Sequence, residues 1–503
     1  MTGIAPLSFC ASRRRPLAAC ISALFALSAP VVAMAANTWP VANCNESGPG
    51  SLRTVIAAVT TLSGDTVDMS ALNCTVTLTT GEITINQNTL AIKGSGADHL
   101  TIDGSQLPQG ATYTADSRIF THEGTGTLSL AYMTLTGGHS YHTGSGYPAL
   151  GGCVFSNGGV TLSASRATSC SAQSLSDDAY GGAIYAKGNV TVKYSVISGN
   201  SVFSGNSARG GGVRALGNLT VKYTTIDQND VVSSLVADGN DNTYKYAAGG
   251  GLSATGNVSL TRSTVSNNTS NGSFAGIDGA ANALDAANHS MKVYSSTISG
   301  NHADKLVGGV YSNNGTVKFY NSTIAFNTAG EMRIGSSPFN FLGPGLALVA
   351  GLNDVNVTLQ SSLLSNNVYG GSSEFDLTTA YDSADPGQSN VTFNVAPANN
   401  FIRTSLHKTP LPNDTLEFSC PLLGSLRDNG GLTKTHSLLS KSVAIDAGNN
   451  VKNQNEDQRG LGTDDSPYPY PRVSNGIADI GAFEVNQDDT IFDNAFEGCP
   501  VLF

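Results

Sequence analysis

Apolar and polar residues alternate in short runs that recur down the chain. In "GNVTVKYSVISGN" (188–200), Val190, Val192 and Ile197 take one side of an extended backbone, and Thr191 and Lys193 take the other. Nearly the same letters return as "GNLTVKYTTIDQN" (217–229). The phrase apolar-x-apolar-x-x-Ser/Thr-x-apolar-x-x-Asn ends at Asn200, Asn229, Asn268, Asn301, Asn327 and Asn367, with degenerate copies ending at Gly138 and Cys170. Successive steps from Asn200 are 29, 39, 33, 26 and 40 residues. A glycine-rich phrase precedes each copy, as in "GGAIYAKGN" from 181 and "GGGVRALGN" from 210. Each unit therefore holds two or three short strands between Gly and Asn turns. One such unit cannot bury its apolar side, but stacked units can. No helical period separates the strands, so coil stacks on coil with parallel strands. The pattern predicts an all-β fold, a right-handed single-stranded parallel β-helix, its hand following from the twist preference of parallel connections. The spread of step lengths falls in loops such as 230–248 and 269–280.

The recurring asparagines are expected at sharp corners, where Asn tolerates left-handed backbone. Stacked there, their amides are expected to bond one another in a ladder. The N-x-[ST] sequences at Asn189, Asn218, Asn257 and Asn356 arise because a turn Asn lies two positions before a strand Ser or Thr, and no glycan is expected on them. One segment departs from the β pattern. In "GSLRTVIAAVTTLSG" (50–64), Leu52, Val55, Ile56 and Val59 have the spacing of an amphipathic helix, with Ser51 as N-cap and Gly64 as stop. It is expected to cap the first coil, whose strand edges would otherwise invite aggregation.

Composition fits this picture. Only 13% of residues are charged, 40% are hydrophobic and 57 are Gly, which suits many tight turns and excludes an acidic disordered chain. Residues 1–35 read as an export signal: Arg13, Arg14 and Arg15 precede the apolar run Leu17 to Val32, and Ala33-Met34-Ala35 offers a cleavage site. Removing that segment takes the net charge from −11 to −14. Scattered Lys and Arg on an acidic chain lack the basic footprint of nucleic-acid binding. An acidic polymer would need a metal or a local basic patch. The mature chain offers no transmembrane helix and is read as a secreted or surface-associated monomer. Six cysteines remain after export, an even number that points to disulfides. Nearness proposes Cys44 with Cys74, Cys153 with Cys170, and Cys420 with Cys499.

Several longer phrases carry a resemblance. "VANCNESGPGSLRTVIAAV" (41–59), "LRDNGGLTKTHSLLSKSVAIDAGNN" (426–450), "DQRG" (457–460) and "ADIGAFEV" (478–485) resemble exported bacterial proteins that join a right-handed parallel β-helix to a C-terminal choice-of-anchor Q domain. The resemblance implies a place on or outside the cell surface and a variable C-terminal attachment signal. It implies no particular activity. The expected organisation is a signal peptide at 1–35, an N-terminal cap and first coils at 36–120, and β-helix repeats at 121–415. A closing module follows at 416–487, then a tail at 488–503 that resembles a sorting signal.

Within the closing module, 443–450 and 477–485 read as two apolar strands, each with an inward-capable Asp. Asp446, Asp457, Arg459, Asp479 and Glu484 are expected to form a polar network that closes the final coil, with Arg459 paired to Asp446 or Asp479. A Ca2+ site at Asp446, Asp457 and Asp479 is the alternative.

Function is sought on the coils. A lyase or hydrolase needs carboxylates on neighbouring coils beside a basic group. Strand-phase acids are scarce between 120 and 330, and Asp177, Asp178, Asp278, Asp285 and the stretch 238–242 read as solvated loop acids. His139 and His142 around Tyr141, and His289 and His302, read as loop or surface residues. Lys-Tyr recurs instead, at Lys193-Tyr194, Lys222-Tyr223, Tyr244-Lys245-Tyr246 and Lys318-Phe319-Tyr320. In register, Lys193 and Tyr194 would stand over Lys222 and Tyr223 as a ligand-binding face, or as a purely structural tyrosine ladder. The preferred function is an exported cell-surface binding or adhesion module for carbohydrate or another surface polymer. A polysaccharide lyase or glycoside hydrolase is the alternative, and a structural surface protein a further one.

Overall fold

One turn of the chain can be followed from Val190. Strands Val190–Lys193, Val196–Ser198, Ser201–Ser204, Ala208–Arg209 and Val213–Ala215 follow in order, and Leu219–Lys222 then lies beside Val190–Lys193. We number the five sheets 1 to 5 in that order. The computed structural model describes residues 36–59, 64–107, 116–234, 247–280, 289–313, 315–330, 343–350, 353–371, 373–381, 390–394, 397–407, 410–460, 470–474, 476–486 and 489. Two compact units are present, Met1–Asn37 and Thr38–Phe503. The expected export signal, 1–35, lies outside the described residues, and the fold below is that of the second unit.

Among the described residues, sheets 1 to 5 hold 12, 11, 10, 4 and 11 strands. Coil pairs with coil in parallel register: Val190 with Leu219 and then Val258, Ile197 with Ile226 and then Val265. The result is a right-handed parallel β-helix. Period-2 alternation points every second residue inward, and these residues make one continuous core from Val41 to Ile402. Small residues fill the narrower part behind sheets 3 and 4, among them Ala172, Ala179, Ala208 and Ala247.

Two polar ladders run through the corners. Between sheets 2 and 3, Asn200, Asn229, Asn268, Asn301, Asn327 and Asn367 are fully buried or nearly so. Each of the first five donates through Nδ2 to the next Oδ1 at 2.8 or 2.9 Å. Asn367 donates to Asp376 at 2.7 Å, which ends the ladder. The backbone reason expected for these asparagines needs correction. The left-handed residue is the one before each of them: Gly199, Gln228, Asn267, Gly300, Phe326 and Asn366. The ladder Asn is required for its amide, which satisfies backbone groups of a dry corner that water cannot reach.

The second ladder lies between sheets 1 and 2. The hydroxyls of Ser165, Ser195, Thr224, Ser263, Ser296 and Ser322 each accept from the backbone N–H of the preceding coil at 3.2 or 3.3 Å. Each donates to a carbonyl two residues back, as Ser195 does to Lys193 at 2.6 Å. A third row, on the surface, contains Asn189, Asn218 and Asn257, whose Oδ1 atoms accept from the next coil at 2.7 or 2.8 Å. Their N-x-[ST] context thus follows from turn geometry.

The N-terminal helix spans Leu52–Ala58, with the Ser51 side chain accepting from Thr54 N–H. Leu52, Val55, Ile56 and Val59 join the core, and Arg53 donates to the carbonyls of Gly81 and Glu82 at 2.6 and 2.7 Å. Disulfides link Cys44 to Cys74 and Cys153 to Cys170. Cys420 is disulfide-bonded as well, and its expected partner Cys499 lies outside the described residues.

The C-terminal module packs differently from expectation. It does not merely close the last coil. The described residues of 422–460, 470–474 and 476–486 lie along the flank of sheet 2, where Leu423, Leu438, Ala444 and Ile480 cover Ala325, Leu363 and Phe401. Its polar contacts reach back over several coils: Arg262 donates to Asp457 O and Glu456 O at 3.0 Å, Thr297 to Gln458 at 2.6 Å, and Thr323 accepts from Ala482 N–H at 3.0 Å. The stretches 443–450 and 477–485 are irregular and carry turns and isolated bridges, where strands were expected. Their apolar residues follow the outside of the solenoid, which offers them a surface and no free strand edge.

His436 is one of these flank contacts. Its Nδ1 lies 2.7 Å from Gly424 O and its Nε2 2.8 Å from Ser299 Oγ. The network therefore assigns a neutral ring that donates from Nδ1 and accepts at Nε2. Burial pushes the imidazole down to about 4 against the pull of the Gly424 carbonyl. A folded-state value below the unfolded one gives stability that is complete above about pH 6.5 and declines as pH falls toward about 4, by up to about 3 kcal/mol. Protection factors across 422–460, referred to the intrinsic exchange rate at each pH, should therefore fall between about pH 6.5 and pH 4, and a His436→Gln variant should lose most of that slope. An equal slope in both proteins would refute this role.

Candidate functional site

Four turns pass from sheet 4 to sheet 5 through a Gly-Gly corner, at 151–152, 181–182, 210–211 and 249–250. Gly181 takes φ +69°, and a Cβ on Gly182 would sit 2.1 Å from the carbonyl of Gly211 in the next coil. A side chain cannot fit there, so the chain folds sharply into a crease. Outward residues on the two sides then face each other. Tyr180 from sheet 4 and Tyr185 from sheet 5 stack across it with ring centroids 6.3 Å apart. Register adds a second direction: Phe155, Tyr185, Arg214, Ser253, Asp278 and Tyr311 form one column along sheet 5. Phe155 and Tyr185 stack at 5.8 Å and 2°. Higher up, Phe274 and Tyr311 close the crease at 4.0 Å.

Cations line the same crease. The Arg118 guanidinium lies 5.2 Å and the Lys187 ammonium 5.7 Å from the Phe155 ring centroid. Arg118 is also paired with Glu82 at 3.1 Å. One coil up from Tyr180 and Tyr185 stand Arg209 and Arg214. Arg209 pairs with Asp278 at 3.0 Å, Arg214 donates to Ser253 at 2.7 Å, and Ser253 donates to Asp278 at 3.0 Å. Burial, and then the neighbouring Arg209, lower the pKa of the Arg214 guanidinium. Asp278, expected as a solvated loop acid, is instead a fully buried strand residue. The sequence carried a signal for this crease. Leu150 and Phe155, Tyr180 and Tyr185, and Arg209 and Arg214 each bracket a Gly-Gly pair at the same offset.

The expected Lys-Tyr face exists over two coils. Lys193 and Lys222 are register partners, and the rings of Tyr194 and Tyr223 stack at 5.0 Å and 8°. Tyr194 is 54% exposed. The two tyrosines are corner residues with φ near +50°, so they form a separate column from the lysines. Arg262 ends that column, donating to the Tyr223 hydroxyl at 2.6 Å. Lys318-Phe319-Tyr320 does not continue it: Phe319 points into the core, and Tyr320 falls in the lysine column, stacked on Tyr294 at 5.1 Å. Tyr244-Lys245-Tyr246 lies outside the described residues, as do Asp285 and the stretch 238–242.

In the C-terminal module, Arg459 pairs with Asp457 at 2.8 Å and with Asp489 at 2.8 Å, which corrects the expected pairing to Asp446 or Asp479. Asp446 is exposed. Asp479 is buried and accepts from the backbone N–H groups of Asp446 and Val485 at 2.8 and 2.7 Å. Glu484 pairs with Arg472 at 3.1 Å. Burial pushes the Glu484 carboxyl up to about 7, with Arg472 pulling against it. Arg472, fully buried, is the member the sequence did not reveal. Among the described residues no group of three or more His, Cys, Asp or Glu is placed to hold a metal ion.

The histidines also differ from expectation. His139, His142 and His289 are buried, and only His302 of the four is at the surface. His139 and Tyr141 line a polar cavity of about 250 Å³ together with Ser105, Ser140, Ser171 and Gln173. No helix among the described residues is long and apolar enough to cross a membrane. Compared with protein-family models, with curated proteins and with solved structures, the chain matches none.

Proposed function

We propose that this chain is an exported, surface-associated solenoid that binds carbohydrate or a related cell-surface polymer. The observation that supports it best is the exposed Tyr194 ring, stacked on Tyr223, beside the register pair Lys193 and Lys222. An aromatic face next to a polar head suits the apolar face and hydroxyl rim of a sugar. The two coils lie at the strand spacing of roughly 4.8 Å, so adjoining units of a polymer can lie across both. Export rests on the segment 1–35, and attachment on the likeness of 416–487 to a choice-of-anchor Q domain and of 488–503 to a sorting signal.

A glycan array probed with the mature chain tests the binding role. Tyr194→Ala should weaken the best ligand by about threefold to tenfold and leave the melting temperature nearly unchanged, because the side chain is at the surface. A protein that retains no glycan, or a variant that binds every glycan as the parent does, would overturn it.

A further inference from the structure

The crease between sheets 4 and 5 holds more positive charge than its own carboxylates take up. Arg209 and Arg214 converge on one acid, Asp278, the first directly and the second through Ser253. Asp178 stands at the rim, where its oxygens accept from Tyr180, Asn206 and Ser207 at 2.7, 2.8 and 3.1 Å. Arg214 makes a single hydrogen bond, although it is only 7% exposed, and its Nε is buried without an acceptor. A guanidinium carries five N–H donors, so this one is far from satisfied. The Arg209 side chain is 29% exposed and leads to it from the surface.

The surroundings narrow the ligand. Below the arginines, Tyr180, Tyr185 and Phe155 stack on one another over two coils, with Tyr185 buried between and Tyr180 and Phe155 half-buried, so these two offer the accessible ring area. Aromatic rings of this kind take the apolar faces of sugar rings. A guanidinium fork matches a planar carboxylate in a bidentate way. The upper end is closed by Phe274 on Tyr311, so a ligand would run from Arg209 toward Phe155. The folded chain is acidic overall, and a local cationic site is what an anionic polymer would need in order to approach it.

We propose that the sheet 4–sheet 5 crease binds a uronate-containing polysaccharide, with a sugar carboxylate on Arg209 and Arg214 and the adjoining pyranose rings against Tyr180 and Phe155. It rests on the binding role above in taking a sugar polymer as the ligand, and it assigns that ligand to a different face from Lys193 and Tyr194.

Calorimetry with the full oxidised chain tests it, using an oligogalacturonate, its methyl ester and dextran sulfate. The oligogalacturonate should bind, and esterification should weaken it about 10-fold to 100-fold, the worth of a charge-assisted hydrogen-bond pair. Arg209→Gln should do the same. Arg214→Lys keeps the charge opposite Asp278 and loses the fork, and should also weaken binding while the chain stays folded. Tyr194→Ala should leave this binding intact. Equal binding of acid and ester, or dextran sulfate binding as tightly as the uronate, would overturn the assignment. If binding is lost with Tyr194→Ala and unaffected by either arginine variant, the crease proposal fails and the general binding role survives. If the arginine variants lose binding and Tyr194→Ala does not, the crease is supported and the Lys-Tyr face is not the site.

Discussion

Asn268→Ala is expected to lower the unfolding free energy by about 3–6 kcal/mol. The Asn268 side chain makes four hydrogen bonds and is fully buried. Its Oδ1 accepts from both the backbone N–H and Nδ2 of Asn229, and its Nδ2 donates to Asn301 Oδ1 and to Ile226 O. Alanine would leave two donors of Asn229 in a dry corner with no acceptor, and each such orphan costs about 1–3 kcal/mol. The methyl group that remains fills none of the space vacated by the amide. Asn257→Ala is the control. Asn257 also accepts from the next coil, but it lies at the surface, where water can replace it, so its loss should cost less than about 1 kcal/mol. Urea denaturation followed by circular dichroism compares the two. Solenoid coils couple mainly to their neighbours, so hydrogen exchange should show the loss concentrated in the turns that carry Asn229 and Asn301. Equal costs at positions 257 and 268 would remove the ladder from the account of stability.

Arg459→Met should release the C-terminal module. Arg459 is fully buried, pairs with Asp457 at 2.8 Å, and its guanidinium lies 4.0 Å from the ring centroids of both Tyr470 and Phe483. Methionine retains some of the packing and removes the charge. Asp457 would then be a buried carboxylate whose remaining partners are the backbone N–H groups of residue 459 and Glu484. Breaking a buried pair from one side costs about 3–5 kcal/mol. The module has few regular hydrogen bonds of its own, so this loss should fall on its docking more than on the coils. Limited proteolysis should cut between 420 and 486 in the variant at a temperature where the parent resists. The exposed flank at Ala325, Leu363 and Phe401 should then bind a hydrophobic dye. Adding Asp457→Leu should recover part of the loss, since the stranded charge is removed. A variant that resists protease as the parent does would show that the pair does not hold the module in place.

The solenoid was legible because its rules are local. Val190, Val192 and Ile197 announce an inward face within one strand, and the Asn at the end of each phrase recurs at a fixed phase that stacking converts into contact. The cap helix was legible for the same reason, from the spacing of Leu52, Val55, Ile56 and Val59. The physical reason offered for the asparagines was misplaced by one residue, because the amide and the left-handed turn sit side by side in sequence and either could explain the pattern. The crease was harder to see. Arg209 and Asp278 are 69 positions apart, and loops of unequal length lie between them. Nothing in a single turn shows that the outward residues on either side of a Gly-Gly corner will face each other.

Sequence by itself determined the repeating unit, its parallel stacking and the buried asparagine row, since each of these depends on a local pattern that recurs in phase, and nearness proposed the Cys44–Cys74 and Cys153–Cys170 bonds that the structure shows. Only the tertiary structure decided which acid Arg459 meets, where the C-terminal module rests, and that Asp278 is buried between two arginines. Those outcomes depend on how distant segments approach through space. Charged and apolar side chains in irregular loops have several partners of comparable energy, and the fold selects among them by burial, where an unpaired charge or an uncovered apolar flank is costly.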